Sequence, residues 1–295
     1  MLWIRQFLLG LLAFALPVYP ALGDLAEIKA RGELRHLGIP YANFVTGAGD
    51  GLDVELVRGF AEHLGVRYRL VYSDFYNVIR DLLGQDVERG DDGVRLVGSY
   101  PVRGDMIAAG FTVLPWREQV LLYSMPTFPS QVLLVAPAQS GTQPIAGSDD
   151  LHRDIDETKG LIGEQSLLVM ERTCLDPANY GLKDGGINLR SYTRSTNINE
   201  MAPTLLAGEA DLTLLDVPDV ILDLQKWAGK IKVIGPISSH QDLAAAFSKD
   251  SPELRQAYNQ YLETVIASGE YKRLVDKYYP GIERWFPEFF DRTLP

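Results

Sequence analysis

The order of apolar segments between residues 34 and 83 constrains the fold more than any other feature of this chain. Residues 34–39 read as a strand, with Pro40, Tyr41, Ala42 and Asn43 as the loop at its carboxyl end. Val54, Val57, Ala61 and Leu64 then recur at helical spacing, and Gly65 is placed to end that helix. Residues 66–72 alternate and are rich in β-branched and aromatic side chains, the pattern of a second strand. Ser73, Asp74 and Phe75 follow it, and residues 76–83 read as a second helix capped by Asp74. Strand, helix, strand, helix predicts parallel strands in an α/β sheet. Ligands of such sheets sit outside the carboxyl ends of the strands, which makes Tyr41 and Phe75 candidate contacts.

A third strand end lies between residues 104 and 128. Asp105 opens an apolar strand, and Gly110, Phe111 and Thr112 follow it, where backbone can approach a ligand closely. Pro115 begins a short turn with Arg117 just inside it, and a strand over 120–123 leads on to Ser124, Pro126 and Phe128. A guanidinium held this way suits a carboxylate, which it binds by two parallel hydrogen bonds. Taken alone, Arg117 reads as a surface arginine in a loop.

Other features narrow the class. Residues 7–16 are apolar throughout, Gly10 apart. Arg5 precedes them, Pro17 and Pro20 break the run, and small residues stand before Asp24. That is the layout of a signal peptide cleaved after Gly23, and it predicts export to the periplasm. The formal net charge of -11 argues against nucleic acid or anionic lipid as partner. Cys174, the one cysteine, excludes an internal disulfide and reads as buried. His36, His63, His152 and His240 lack metal-ligand spacing, so no metal or cofactor is expected.

Residues 84–103 interrupt the alternation with several acids and glycines and read as a hairpin or excursion, too irregular in spacing for an EF-hand. Residues 131–136 predict a strand. Residues 161–163 predict another, with Glu164, Gln165 and Ser166 at its carboxyl end and a helix over 167–172 capped by Ser166. A strand over 210–215 carries Asp216 at its end, and a helix over 218–227 follows. Ser251-Pro252-Glu253 reads as a helix start with a capping hydroxyl. Trp285, Phe286, Phe289 and Phe290 are expected to pack back on their own domain.

In this order and spacing, several short motifs resemble the family 3 extracellular solute-binding proteins, the periplasmic receptors of polar amino-acid uptake. They are Ile28-Lys29-Ala30-Arg31-Gly32-Glu33-Leu34, Gly51-Leu52-Asp53-Val54-Glu55-Leu56, Thr112-Val113-Leu114-Pro115-Trp116-Arg117, Gly208-Glu209-Ala210-Asp211 and Gly269-Glu270-Tyr271. The resemblance implies the two-lobed α/β periplasmic binding protein fold (type II) with two crossover hinge strands. It puts residues 24–130 and 243–295 in lobe 1 and residues 131–242 in lobe 2. It further implies that Arg117 clamps a ligand carboxylate and that Asp216, from the other lobe, takes an ammonium. Gly110 and Thr112 would add hydrogen bonds, Tyr41 and Phe75 would stack on the ligand, and Ser166 would stand where many members offer carboxylate donors. Gly38, where binders of cationic amino acids place an acid, points to a neutral or acidic ligand.

The leading expectation is therefore a monomeric, non-enzymatic receptor for an amino acid or similar small carboxylate, delivering to an ABC transporter's permease. A sensor module on the same fold is one alternative. A periplasmic dehydratase is another, and it would need Glu164 as its acid. A lytic transglycosylase is disfavoured, since no catalytic domain follows the binding lobes.

Overall fold

In a computed structural model the described residues are 23–90, 93–183 and 185–293. The signal-peptide segment lies outside them. The strands are β1 (Glu33–Gly38), β2 (Arg67–Tyr72), β3 (Asp86–Gly90), β4 (Gly93–Val97), β5 (Met106–Ile107), β6 (Leu121–Tyr123) and β7 (Phe128–Ser130). They continue with β8 (Val132–Pro137), β9 (Ser166–Val169), β10 (Asn188–Ser191), β11 (Leu212–Asp216), β12 (Ile231–Pro236), β13 (Gln241–Leu243) and β14 (Ala246–Ser248).

Two five-stranded sheets organise two lobes. The first runs β2-β1-β5-β14-β6, with β2, β1 and β5 parallel and β14 antiparallel to both neighbours. The second runs β10-β9-β11-β8-β12, with β10, β9 and β11 parallel and β8 antiparallel to both neighbours. Between the sheets the chain crosses twice, and the crossings pair as β7 with β13, Phe128 facing Leu243 and Ser130 facing Gln241. Ser238 Oγ accepts the Val132 N–H at 2.9 Å and extends that seam.

Lobe 1 follows the predicted alternation. The helix Leu52–His63 buries Leu52, Val54, Leu56, Val57, Phe60 and Ala61, so its apolar stripe covers the first sheet. The helix Pro252–Ala267 brings Leu254, Tyr258, Tyr261, Leu262 and Val265 into the same core. Ser251 makes no cap bond at its start, contrary to expectation. Asp24 Oδ1 instead accepts the Leu254 N–H at 2.8 Å. At the amino end of β5 the buried Asp105 carboxylate pairs with Arg31 at 2.6 Å and Arg35 at 2.7 Å. These bonds hold β5 against β1 and thereby fix where Gly110–Thr112 emerge.

Residues 84–103 contain the antiparallel hairpin β3–β4, which Asp86–Val97 pairing closes at its base. The C-terminal aromatics Phe286, Phe289 and Phe290 are buried, as expected, whereas Trp285 is 77 % exposed.

Lobe 2 departs from expectation at one place that matters. Residues 161–163 form a turn, and Ser166 begins β9 instead of capping a helix. The apolar run Leu167-Leu168-Val169 is short enough for either assignment, and pairing with β10 and β11 makes it a fully buried strand. The carboxyl end of β9 is therefore Met170–Cys174, several residues beyond the predicted position. No helix among the described residues is long and apolar enough to cross a membrane.

Candidate functional site

Three loops of lobe 1 converge at the carboxyl ends of its parallel strands. Tyr41 follows β1, Phe75 follows β2, and Gly110–Thr112 follow β5. Tyr41 stacks on Phe44 with ring centroids 5.8 Å apart and meets Phe75 edge-on at 5.6 Å. Gly110 adopts φ +59°, and a Cβ there would stand 2.4 Å from the Phe44 ring, so only glycine fits. Its N–H donates to Asp53 Oδ2 at 2.6 Å. That amide, expected to bond the ligand, is thus already committed inside the protein, and the Gly110 carbonyl is what remains.

Arg117 lies in the one-turn helix Pro115–Glu118, with Pro115 at its first position. It is 1 % exposed and not the surface residue that its loop alone suggests. Its guanidinium rests on the Phe111 ring at 4.0 Å and beside Trp116 at 5.2 Å. Nη1 donates to the Thr112 carbonyl at 2.9 Å, and Nε has no acceptor among the described residues. None of the ion pairs among the described residues involves Arg117. Burial pulls its pKa down from the usual arginine value. Taking a charge out of water without a partner costs several kcal/mol. The position is stabilised only when something negative meets it.

Lobe 2 faces these groups with the ends of β9 and β11. Asp216 closes β11 and caps the helix Val217–Lys226 by accepting the Asp219 N–H at 3.4 Å. It is 1 % exposed, and burial pushes its pKa up to about 6. Asp219, one turn on, is driven well above the carboxylate range by burial and by the Asp216 charge. Tyr41 of lobe 1 reaches across and donates its hydroxyl to Asp216 Oδ1. Cys174 Sγ stands 3.6 Å from Asp216 Oδ2. Burial and then Asp216 push the Cys174 thiol well up, while Arg117 pulls the other way. The thiol therefore lies within the fields of both the acid and the guanidinium.

Further contacts hold the lobes closed on each other. Asn199 accepts the Ala42 N–H at 3.3 Å and donates to the Pro40 carbonyl at 3.2 Å. Arg172, at φ +63°, donates to the Tyr76 carbonyl at 3.3 Å. From the hairpin, Arg89 stacks on Trp116 at 4.8 Å and reaches Asp176 at 3.5 Å. A cavity of about 530 Å³ opens beside this seam, lined in part by Phe75, Trp116, Arg89 and Arg172. The hairpin thus forms one wall of the cleft.

The structure brings Arg117, Thr112, Gly110, Tyr41, Phe75 and Asp216 to one place. Ser166 is the exception and is corrected. It starts β9 at the far end of the second sheet, where its hydroxyl donates to Asp211 at 2.6 Å. Glu164 precedes it in an exposed turn and is likewise remote. Sequence reasoning missed Cys174 and Asp219. The spacing of Asp216 and Asp219, which makes the second acid the third residue of a helix capped by the first, was an available signal for Asp219.

Residues 102–281 match the family described as bacterial extracellular solute-binding proteins, family 3. The chain belongs to that family. In structure it resembles an ArgBP variant from T. maritima, with TM-score 0.68, 23% identity and coverage of 86% of this chain and 98% of that one. It also resembles the GluR0 ligand-binding core from Nostoc punctiforme in complex with L-glutamate, with TM-score 0.63, 20% identity and coverage of 84% and 99%. These likenesses show the two-lobed type II fold. In sequence it is 25% identical over 237 residues to membrane-bound lytic murein transglycosylase F of Desulfosudis oleivorans, covering 79% of this chain and 45% of that protein. The protein of the same name from Alcanivorax borkumensis is 26% identical, covering 98% of this chain and 58% of the relative. The chain spans about half the length of these curated relatives. One expectation is corrected here. The relatives carry the name of an enzyme, a lytic transglycosylase, which overturns the non-enzymatic reading. Family and fold support a ligand-binding role.

Proposed function

We propose that this chain captures a small carboxylate between its two lobes and that Arg117 is the clamp. The observation carrying the proposal is a guanidinium 1 % exposed, stacked on Phe111, with no carboxylate partner among the described residues. A ligand carboxylate supplies the missing charge and accepts the uncommitted donors. Thr112, the Gly110 carbonyl and the Phe75 ring complete the wall around it. Closure at the crossovers, between residues 24–130 plus 243–295 and residues 131–242, brings lobe 2 over the ligand. Because the ligand meets lobe 2 only in the closed state, ligand and closure stabilise each other. The protein works after export to the periplasm, as a monomer, and delivers to a membrane permease or sensor.

A thermal-shift screen against amino acids and small carboxylates tests this. A bound ligand raises stability by mass action. The expected result is a higher Tm with at least one carboxylate in the wild type and no shift in Arg117→Ala. Undiminished calorimetric binding by Arg117→Ala would sink the clamp.

The names of the curated relatives favour a second reading, in which this ligand-binding chain serves murein lysis. Release of soluble fragments from purified murein, changed by the ligand found in the screen, would support it.

A further inference from the structure

We infer that the ligand carries a second anionic group besides the clamped carboxylate, and that Arg172 of lobe 2 receives it in the cavity beside the cleft. The inference rests on the carboxylate clamp at Arg117 and deepens it to a class of acid, a dianion such as a dicarboxylate or an acidic amino acid.

The argument begins at the carboxyl end of β9, where the parallel part of the second sheet meets the cleft. Arg172 stands there at φ +63°, in the left-handed region that a residue with a Cβ rarely adopts. Asp176 holds it so: its Oδ2 accepts the Arg172 N–H at 3.0 Å, and its Oδ1 accepts the Ala178 N–H at 2.9 Å. Backbone strain that the surroundings keep in place marks a residue whose direction matters. Here the direction is across the cleft. The guanidinium lies over the Tyr76 ring of lobe 1 at 5.2 Å. Its hydrogen bond among the described residues goes to the Tyr76 carbonyl, at 3.3 Å.

The cavity of about 530 Å³ lies against this side chain. Phe75 and Trp116 line it too, and both belong to the surroundings of the clamp. Phe75 meets Tyr41 edge-on, and Trp116 lies 5.2 Å from the Arg117 guanidinium. A ligand held at Arg117 has room to continue past them towards Arg172. The acids of the cavity wall already have partners. Asp86 stands 3.9 Å from Arg80, Asp176 stands 3.5 Å from Arg89, and Glu171 accepts the Ser191 hydroxyl at 3.0 Å. Lys183 adds a further positive charge to the wall. None of the ion pairs among the described residues includes Arg172. A guanidinium bonded to one carbonyl keeps most of its N–H fork for a carboxylate. Two arginines, one from each lobe, thus flank one space, and neither has a carboxylate of its own. A ligand with an acid at each end meets both, and it does so only when the lobes are closed.

Calorimetry on the full chain with matched pairs tests this directly. Suitable pairs are glutamate with glutamine, aspartate with asparagine, and succinate and glutarate with their monoamides. The panel spans ligands with and without an ammonium, because Asp216 is met by neutral donors and Asp219 Oδ2 is buried without one. In the pair that binds, the diacid should bind about tenfold or more tightly than the amide. Arg172→Gln should lower that ratio about tenfold, whatever both ligands lose through the missing Tyr76 bond. Arg172→Gly should do the same and fits the positive φ without strain, so it keeps the test open if Arg172→Gln does not fold. The inference is overturned if the wild type binds the amide as tightly as the diacid. It is also overturned if the folded variants keep the wild-type ratio, the result expected of a plain lobe contact. Binding by no member of the panel, or undiminished binding by Arg117→Ala, overturns the clamp and the inference with it. Loss of binding in Arg117→Ala without a wild-type preference for the diacid overturns the inference alone.

Discussion

Arg117 and Asp216 are equally buried, each 1 % exposed, yet their surroundings differ in kind. The arginine is packed on an aromatic ring and makes a single bond to a backbone carbonyl. The aspartate receives a phenol, a thiol and a backbone amide. Elsewhere in lobe 1 the fold shows how it treats a charge meant to stay put: Asp105 is met by two arginines within 2.7 Å. A structural charge is paired from within, and a charge kept for a ligand is supported by neutral groups only. By that contrast both Arg117 and Asp216 are charges kept for a ligand, and Asp216 also ties the lobes together through Tyr41.

The largest effect that could break this comparison is at Arg117. Arg117→Met keeps the stem volume and removes the unpaired charge. Carboxylate affinity should fall by about a hundredfold or more, equivalent to roughly 3 kcal/mol, the range for losing a charge-assisted contact. The melting temperature of the unliganded protein should stay level or rise, because replacing a buried charge by apolar volume is often neutral or stabilising. A marked drop in Tm would mean that the guanidinium has a structural partner after all.

Asp216→Ala should act mainly on stability. It leaves the Tyr41 hydroxyl unsatisfied and uncaps the helix Val217–Lys226. Together these cost about 2–3 kcal/mol, summing an orphaned hydroxyl and a lost cap. Urea denaturation measures it, and an unchanged midpoint would remove Asp216 from the lobe contact.

Gly110→Ala comes next. The positive φ and the Phe44 ring oppose a Cβ, at a cost of about 1–3 kcal/mol. Binding and Tm should fall together, since the Phe44–Tyr41 stack must shift to make room.

The smallest effect is a pH slope. Asp53, which holds the Gly110 amide, is pushed up to about 7 by burial. Its folded state holds a proton that the unfolded chain releases near the ordinary carboxylate pKa. Its contribution to stability is therefore present at low pH and is lost as pH rises towards 7. His36 has the opposite sign. It donates from Nε2 to the Ala108 carbonyl at 2.5 Å and accepts the Tyr68 hydroxyl at 2.9 Å, and burial lowers its pKa to about 4. Its contribution is present above about 6.5 and is lost as pH falls towards 4. Asp53→Asn should therefore make Tm rise more steeply with pH across this range. An unaltered Tm–pH profile would show that Asp53 is ionised throughout.

Lobe 1 was legible because its signals are local. The helix Leu52–His63 announces its buried face by spacing, and Pro115 places Arg117 in its turn. Lobe 2 was less so. Residues 166–169 are buried at every position, and their apolar run fits a strand or a buried turn of helix equally. The wrong choice put Ser166 in the cleft in place of Cys174. Parallel pairing with β10 along its length and of Leu167 and Leu168 with Leu212 and Thr213 of β11 fixes the direction of β9, and the latter pairing spans about 45 residues of chain.

The sequence by itself determined the α/β alternation of lobe 1, the strand ends of that lobe that face the cleft and the arginine held beside one of them. These follow from periodicity, proline and glycine within a few residues of each position. The tertiary structure decided that Arg117 is buried without a carboxylate while Asp216 is not left free. The bond from Tyr41 to Asp216 joins residues 175 apart, and no local pattern encodes it. Whether a buried charge is met from within depends on which distant side chains closure brings together, and the packed lobes alone specify that.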